Sequence, residues 1–271
     1  MRRSKRLVLL SKFLSDNPNR IFTLKFFGEK YDAAKSSISE DLNIIKDAFL
    51  EGGEGVLETI PGAAGGVRFR IKRPPEEIEN FLSELCDLLS DRSRIIPGGY
   101  LYTTDIIFSP EYASRIGEIF AQIFVEKEPT CVLTVETKGI PLALMTAKAL
   151  GVPLAVARRD NRVTEGPSVN ISYVSGSSQR IQNMALPTRA LSKNARVLIV
   201  DDFMKGGGTA RGMIELVRQF GAEVVGVAVL MGTALPEEKL VKNYVSLIVL
   251  EKIDPEQGII RLKPIELAVK N

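Results

Sequence analysis

The apolar positions of the first 50 residues recur at the three- and four-residue spacing of amphipathic helices. Leu7, Leu10 and Leu14 predict a helix over 3–15, and residues 23–31 suit a short second helix. The clearest helical pattern covers 36–50, where Ser37 and Glu40 form an S-x-x-E capping box. The apolar stripe of this third helix consists of Ile38, Leu42, Ile45 and Phe49.

Alternation with a period of two replaces the helical pattern after residue 50. Two runs, around 56–60 and 67–72, predict the strands of a β-hairpin whose turn is the glycine-rich segment 61–66. Helix, short helix, helix and hairpin is the order of a winged helix-turn-helix module. Because Arg73-Pro74-Pro75 ends the hairpin, we predict a winged-helix domain over 1–74 and a second domain over 75–271.

The second domain shows apolar runs that alternate with helical stretches. It begins with an amphipathic helix over 76–90, which could link the domains or form a dimer interface. Continuous Val/Ile/Leu strands between helices are typical of a parallel α/β sheet covered on both faces. The predicted strands are 130–135, 153–157, 196–200 and 223–230, and the predicted helices are 111–125, 140–150 and 207–220. The polar stretch 158–182 predicts a hairpin or a mobile lid.

Composition excludes several classes of site. The 271 residues contain no histidine, which removes Ser–His–Asp triads, Cys–His pairs and nearly all zinc-hydrolase sites. Cys86 and Cys131 stand alone in apolar surroundings, so we expect buried free thiols in a reducing, cytoplasmic protein. No apolar run approaches the ~18 residues of a membrane span, and the N-terminus lacks the pattern of a signal peptide.

Charge is distributed unevenly between the two predicted domains. Residues 1–74 contain 14 Lys/Arg and 9 Asp/Glu, whereas residues 75–271 contain 22 and 24. The first domain is therefore basic (+5) and the second slightly acidic (−2), which favours nucleic-acid contact by the first.

The segment 196–209 has the pattern of a sugar-phosphate site. An apolar strand leads into Asp201 and Asp202, and three glycines and Thr209 then precede a helix. Glycines let the backbone approach an anion closely, and the amides of a helix N-terminus bind phosphate. The paired carboxylates can accept hydrogen bonds from ribose hydroxyls. The spacing fits neither a P-loop nor a dinucleotide fingerprint, and the alternative is a glycine-rich turn with solvated acids.

The run VLIVDDFMKGGGT resembles the phosphoribosyl-pyrophosphate (PRPP) loop of type I phosphoribosyltransferases. Residues 137–141 (TKGIP) are similar to the loop that faces pyrophosphate in those enzymes, and 158–182 occupies the place of their flexible lid. A winged helix fused ahead of such a domain is unusual. With KSSISEDL (35–42), PGAAGG (61–66), PGGYLYTTDI (97–106) and VTEGPSVNISYVSGSS (163–178), the chain resembles the purine operon repressor family of Gram-positive bacteria.

This resemblance implies a type I phosphoribosyltransferase fold after the winged helix, with PRPP as an effector. The basic residues expected at the pyrophosphate end could also be solvated charges, and the expected aromatic residues could belong to the core. The candidate effector-binding residues are Asp201, Asp202, Phe203, Met204, Lys205, Gly206, Gly207, Gly208, Thr209, Thr137, Lys138, Gly139, Tyr102, Arg158 and Arg159. Glu136 beside a pyrophosphate site has no explanation from sequence.

Lys205 and Gly206 favour a ligand sensor over an enzyme. In the related enzymes the position before the 5′-phosphate cradle is often Asp or Ala, followed by Thr. A lysine cannot serve as a carboxylate base toward a purine nitrogen, although it adds positive charge near phosphates. We also find no clear hood segment for a nucleobase. An active purine phosphoribosyltransferase with an accessory nucleic-acid-binding domain remains the alternative.

We expect the first domain to bind double-stranded operator DNA, with the start of the third helix in the major groove; a winged helix that contacts protein is the alternative. The candidate DNA-binding residues are Arg3, Lys5, Arg6, Lys35, Ser36, Ser37, Ser39, Arg68 and Arg70. The resemblance implies a homodimer that represses purine synthesis and salvage genes and leaves DNA when PRPP binds. No cofactor is required; Mg²⁺ could accompany PRPP, and a guanosine polyphosphate could compete with it. A constitutive DNA-binding protein with a vestigial pocket is a further alternative.

Overall fold

The computed structural model describes residues 1–62, 65–160, 166–174 and 181–266. The chain divides into two units. One contains Met1–Pro74 with Lys148–Gly151, and the other contains Pro75–Ala147 with Val152–Asn271.

The first unit contains the three helices predicted from sequence: α1 (Arg3–Asp16), α2 (Leu24–Tyr31) and α3 (Lys35–Glu51). Thr23 caps α2, since its Oγ1 accepts a hydrogen bond from the Phe26 N–H at 3.1 Å. The helices enclose one apolar core, which consists of Leu10, Leu14, Phe27, Tyr31, Ile38, Leu42, Ile45, Leu57, Val67 and Phe69.

The predicted capping box of α3 is wrong. Asp32 ends α2 in the left-handed region, with φ of 48°, so that only Ala33 and Ala34 separate it from the next helix. Ala34 is the N-cap of α3, and no side chain caps this end. Ser37 therefore lies inside the first turn, because the early reversal of the chain starts the helix two residues ahead of it.

The hairpin of the first unit is present with an extra strand. β1 (Ile21–Phe22), β2 (Gly55–Ile60) and β3 (Gly66–Ile71) form an antiparallel sheet in the order β1-β3-β2. The two-residue β1 is too short to produce a periodic pattern, so the sequence did not predict it. Residues 63–64 of the predicted turn lie outside the described residues.

The second unit is an α/β domain. Its helices are α4 (Pro75–Leu89), α5 (Thr104–Ile107), α6 (Pro110–Phe124), α7 (Gly139–Leu150) and α8 (Gly208–Gln219), and the end of α7 from Lys148 onward falls in the first unit. Its strands are β4 (Ile95–Ile96), β5 (Tyr100–Leu101), β6 (Cys131–Val135), β7 (Leu154–Ala157), β8 (Ser168–Val174), β9 (Ile181–Pro187), β10 (Arg196–Met204), β11 (Glu223–Thr233), β12 (Val245–Asp254) and β13 (Ile259–Pro264).

Within the described residues the main sheet has six strands in the order β13-β12-β11-β10-β6-β7. The pairs from β7 to β12 are parallel, which confirms the predicted parallel sheet, and β13 pairs antiparallel with β12. The prediction missed β13, in which Arg261 and Lys263 occupy alternate positions, and β12, although Val245–Leu250 contains no charged residue. It also ended the strand at residue 200, whereas β10 continues to Met204.

The helices bury their apolar faces on this sheet. α4 packs against β12 and β13 through its buried stripe Ile78, Phe81, Leu82, Leu85, Cys86 and Leu89, so this face is covered within its own domain. α8 packs on β10 and β11 and against the hairpin of β8 and β9. The stretch 158–182, for which sequence predicted a hairpin or lid, contains β8 and the start of β9, and β9 continues beyond it to Pro187. Residues 161–165 and 175–180 of the stretch lie outside the described residues.

Cys86 and Cys131 are both buried free thiols, as predicted, and burial raises the pKa of each to about 11. Across the described part of the chain, no helix combines the length and apolar character that crossing a bilayer requires.

Candidate functional site

The loop that follows β10 forms a phosphate-sized recess at the start of a helix. Gly207 is the N-cap of α8 and has φ of 81°, a left-handed conformation that favours glycine. Helix α8 begins at Gly208, so Thr209 lies in its first turn with the unpaired amides. The recess has a volume of about 60 Å³, and residues 203–210, Asp201 and Val229 contribute to its lining. The partial positive charge of the helix N-terminus favours an anion here.

The two adjacent carboxylates of β10 have different surroundings. Asp201 is only 7% exposed, and its Oδ1 accepts a hydrogen bond from the Asp202 N–H at 2.9 Å. Burial, together with the neighbouring charge of Asp202, raises the pKa of Asp201 well above its ordinary value. Asp202 is half-buried. The pair therefore offers one carboxylate to solvent and holds the other behind it.

Residues 137–139 meet the carboxylate pair at the edge of the sheet. β6 is parallel to β10, so the carboxyl ends of both strands lie at one edge, where ligands bind in open α/β sheets. A Cβ on Gly139 would lie 2.7 Å from Asp201 Oδ1 and would also collide with Thr134 Oγ1. The close approach of these loops therefore requires glycine at 139. Thr137 and Lys138 are exposed, and the Glu136–Thr137 peptide bond is cis.

Glu136 does not face the proposed anion site as an unpaired charge. Its Oε1 accepts a hydrogen bond from the Arg159 N–H at 2.9 Å, and its Oε2 lies 3.6 Å from Arg158 Nη1. These contacts align the end of β6 with the residues that follow β7. They also mean that the guanidinium of Arg158 is partly neutralised, whereas the side chain of Arg159 is exposed.

The predicted effector residues of this loop differ in exposure. Met204 is 3% exposed and packs in the hydrophobic core, although it contributes to the lining of the recess. Phe203 and Lys205 are exposed beside the recess. Tyr102 is exposed after β5, where the Arg94 guanidinium donates to its carbonyl, and it does not line the recess. Sequence could not foresee these orientations, which depend on how far β10 continues.

In the first unit, the start of α3 and the hairpin enclose a groove. Lys35, Ser36 and Ser39 are exposed, and Lys35 and Ser39 line this groove, while Ser37 is half-buried. The groove also contains residues that sequence reasoning did not select: Thr23, Lys25, Asn43 and Thr59. Asn43 follows Lys35 and Ser39 at four-residue steps on α3, a spacing that could have identified it.

Two arginines predicted to contact DNA belong to a buried ion-pair cluster. Arg6 is 8% exposed, and its Nε lies 2.5 Å from Oδ2 of Asp41, a fully buried residue on α3. Arg3 Nε donates to Asp41 Oδ1 at 2.9 Å, and Arg3 Nη2 lies 3.6 Å from Glu40 Oε2. The charge of Arg6 therefore compensates Asp41 inside the domain, and its contact with DNA stays a prediction. Arg3 remains half-exposed, and Lys5 is exposed.

The hairpin arginines share one acidic partner. Glu58 Oε2 lies 2.8 Å from Arg68 Nη2 and 3.2 Å from Arg70 Nε. Two cations around one carboxylate leave a net positive charge on this sheet. Lys35 and Ser39 thus share one groove with the hairpin, whereas Arg6 lies in the interior of the domain.

Comparison with protein families gives two matches. Residues 2–71 match the family described as "Bacterial purine repressor, N-terminal", and residues 103–260 match "Phosphoribosyl transferase domain". The chain is 48% identical over 262 residues to the purine biosynthesis transcriptional repressor PurR of Bacillus subtilis. This match covers 97% of this chain and 92% of that protein. The chain is 44% identical to the purine biosynthesis transcriptional activator PurR of Lactococcus lactis, with 94% of each covered.

Similarity to enzymes covers only part of the chain in the matches that follow. The xanthine phosphoribosyltransferase of Geobacillus thermodenitrificans is 37% identical over 58% of this chain and 82% of that protein. Among solved structures, the adenine phosphoribosyltransferase of Rhodothermus marinus is 25% identical with a TM-score of 0.52, and covers 62% of this chain and 97% of that chain. The enzyme from Saccharomyces cerevisiae, 20% identical with a TM-score of 0.53, shares the fold.

Proposed function

This chain belongs to the PurR family of purine biosynthesis regulators, and from that premise we propose that it is a repressor that leaves its operator when PRPP binds. Its N-terminal domain is the DNA-binding domain of that family, and its C-terminal domain has the phosphoribosyltransferase fold. Operator DNA is accordingly the macromolecular partner. PRPP, the sign of the response and the homodimeric state belong to the proposal.

The observation that carries the proposal for PRPP is the meeting of two loops at one sheet edge. Amides at the start of α8 supply a cradle for the 5′-phosphate, and Asp202 is positioned to accept hydrogen bonds from ribose hydroxyls. Thr137 and Lys138, held against Asp201 through Gly139, supply the pyrophosphate end. These groups support the proposal because each could bind one part of PRPP: its 5′-phosphate, its ribose diol or its pyrophosphate.

Regulation requires PRPP to bind the DNA-competent and released states unequally. PRPP carries several negative charges, so it would lower the positive potential of a protein that needs that potential to bind DNA. A guanosine polyphosphate would compete for the same phosphate-binding amides. Because one relative is named an activator, the sign at individual promoters is part of what must be measured.

We propose that the pocket senses its ligand without transferring the phosphoribosyl group. Lys205 stands where a carboxylate base would be useful, and its exposed ammonium group can only add positive charge. The competing function is an active purine phosphoribosyltransferase, and the similarity to xanthine phosphoribosyltransferases supports this alternative. That enzyme would release pyrophosphate from PRPP and a purine base.

One titration distinguishes these functions. Operator binding is measured with increasing PRPP, alone and with adenine, guanine, hypoxanthine or xanthine, while pyrophosphate release is assayed in parallel. We expect PRPP to weaken operator binding with no pyrophosphate formed. Appreciable pyrophosphate would establish an enzyme, and an operator affinity unchanged at saturating PRPP would exclude PRPP regulation.

A further inference from the structure

A segment outside the phosphate loop is bonded to the back of that loop. Residues 233–240 connect β11 with the approach to β12. Lys239 Nζ donates to the Lys205 carbonyl oxygen at 2.9 Å and to the Pro236 carbonyl oxygen at 2.9 Å. The Leu240 N–H donates to the Gly206 carbonyl oxygen at 3.0 Å. Two consecutive carbonyls of the phosphate loop are therefore engaged from the same segment.

Engaging these carbonyls fixes the direction of the amides that follow them. In a trans peptide unit the C=O and the N–H point to opposite sides. Holding the carbonyls of Lys205 and Gly206 toward residues 239–240 thus turns the N–H groups of Gly206 and Gly207 away from that segment. Among the described residues, neither N–H donates a hydrogen bond to another protein group. Both remain available for an anion, beside the N-terminus of α8.

Lys239 is suited to this task by its position and charge. Its side chain is half-buried, and burial lowers the pKa of its ammonium group below the ordinary value. Hydrogen bonds from a charged donor are stronger than those between neutral groups. The same ammonium group binds the carbonyl oxygen of Pro236, within the segment, and that of Lys205, in the phosphate loop. Lys239 therefore links the segment to the loop. The glycine loop lacks side chains that could hold its shape, so this support comes from outside it.

We propose that Lys239 is a positioning residue that, with the Leu240 amide, orients the Gly206 and Gly207 amides to receive the 5′-phosphate of PRPP. The inference rests on the proposed function for its ligand. Lys239 would not touch PRPP, because its ammonium group lies on the carbonyl side of the loop. Its removal should therefore affect binding through the direction of the loop amides.

The test compares Lys239→Met, which retains the aliphatic stem, with Lys239→Arg, which restores charge and donors. Lys242→Met is the matched control, because Lys242 is an exposed lysine three residues after Lys239, just beyond this segment. Calorimetry should show PRPP binding weakened about tenfold to a hundredfold in Lys239→Met, as for loss of charged hydrogen bonds in a binding site. Lys239→Arg should recover most of the affinity, and Lys242→Met should match the wild type.

Two further measurements separate positioning from loss of structure. Competition with ribose 5-phosphate should weaken in Lys239→Met, whereas competition with pyrophosphate, which uses residues 137–139, should not. With glycine-selective ¹⁵N labelling, the Gly206 and Gly207 resonances of the ligand-free protein should move in Lys239→Met and return in Lys239→Arg.

Wild-type PRPP affinity in Lys239→Met would overturn the inference. Equal weakening of ribose 5-phosphate and pyrophosphate together with a lower melting temperature would also overturn it, since that pattern indicates general loss of structure. If the wild type fails to bind PRPP, the proposed effector is wrong, and the glycine resonances alone decide the role of Lys239. Unmoved resonances then reject that role, and resonances that move and are restored by arginine support it.

Discussion

Each domain buries an aspartate, but the two side chains have opposite surroundings. Asp41, on α3, is fully buried and binds both Arg3 and Arg6. Asp201, on β10, is nearly as buried, yet within the described residues it forms no ion pair, and its neighbour Asp202 is also acidic.

A buried charge is costly unless it is paired. Asp41 is paired and joins α1 to α3, so removal of its charge would leave the buried Arg6 without a negative partner. Asp201 has no cationic partner among the described residues, and burial beside the charge of Asp202 raises the pKa of its carboxyl. The comparison indicates that a buried carboxylate with cationic partners has a structural role, whereas a buried carboxylate without them is a candidate for ligand binding.

The largest expected effect comes from Asp41→Asn. It leaves Arg6 buried without a full negative partner, so the free energy of unfolding of the first domain should fall by about 3 kcal/mol. Urea denaturation followed by circular dichroism measures this loss. Asp47→Asn, at an exposed acid on the same helix, is the control and should change stability by less than about 0.5 kcal/mol. Equal stability of the two variants would show that the buried ion pair of Asp41 has no structural role, and Asp41 and Asp201 would then not differ in the proposed way.

The next effect separates ligand binding from DNA binding. Asp201→Asn with Asp202→Asn should weaken PRPP binding by about a hundredfold through lost charged hydrogen bonds, while operator affinity without PRPP stays at the wild-type value. Calorimetry and operator gel shifts measure the two properties. Simultaneous loss of both would show that the acids support the fold, as Asp41 does.

A smaller effect is expected from Lys35→Met. Lys35 is exposed at the start of α3, so its charge is available to a phosphate, unlike that of Arg6. Operator affinity should fall about fivefold to tenfold, and the slope of log affinity against log salt should decrease by about 1. The melting temperature should remain unchanged. A change in melting temperature with an unchanged salt slope would place Lys35 among the structural cations.

The smallest effect concerns pH. Because the folded-state pKa of Asp201 is raised, the folded protein binds more protons than the unfolded chain between the two pKa values. Stability from this group is therefore fully present below the unfolded pKa and is lost as pH rises through the folded pKa. Asp201→Asn should flatten the decline in unfolding free energy above pH 4. An identical pH profile in the variant would show that Asp201 ionises normally.

Sequence predicted the parts of the fold that have strong periodicity. The three helices of the first domain, the hairpin and the parallel strands β6, β7, β10 and β11 follow from apolar spacing, since each buries one face or both. It missed β1, which has two residues, and β13, whose alternate positions are charged. It misplaced the cap of α3, because the left-handed Asp32 that sets the helix start leaves no pattern in composition.

The candidate site was predictable where its functional residues are neighbours in the sequence. Asp201, Asp202 and the three glycines are consecutive, so one loop displays them. The role of Glu136 depends on Arg159, 23 residues away, and the support from Lys239 depends on a carbonyl 34 residues away. The burial of Arg6 likewise depends on Asp41. Such pairings arise from tertiary contacts that no local pattern contains.

The antiparallel strand β13 affects the tendency of the protein to aggregate. It is the last strand of the main sheet on its side and carries exposed Arg261 and Lys263 before Pro264. Cations and proline on an outer strand discourage another chain from extending the sheet by hydrogen bonding. β13 thus gives a predominantly parallel sheet a border that resists fibril-like growth at high protein concentration.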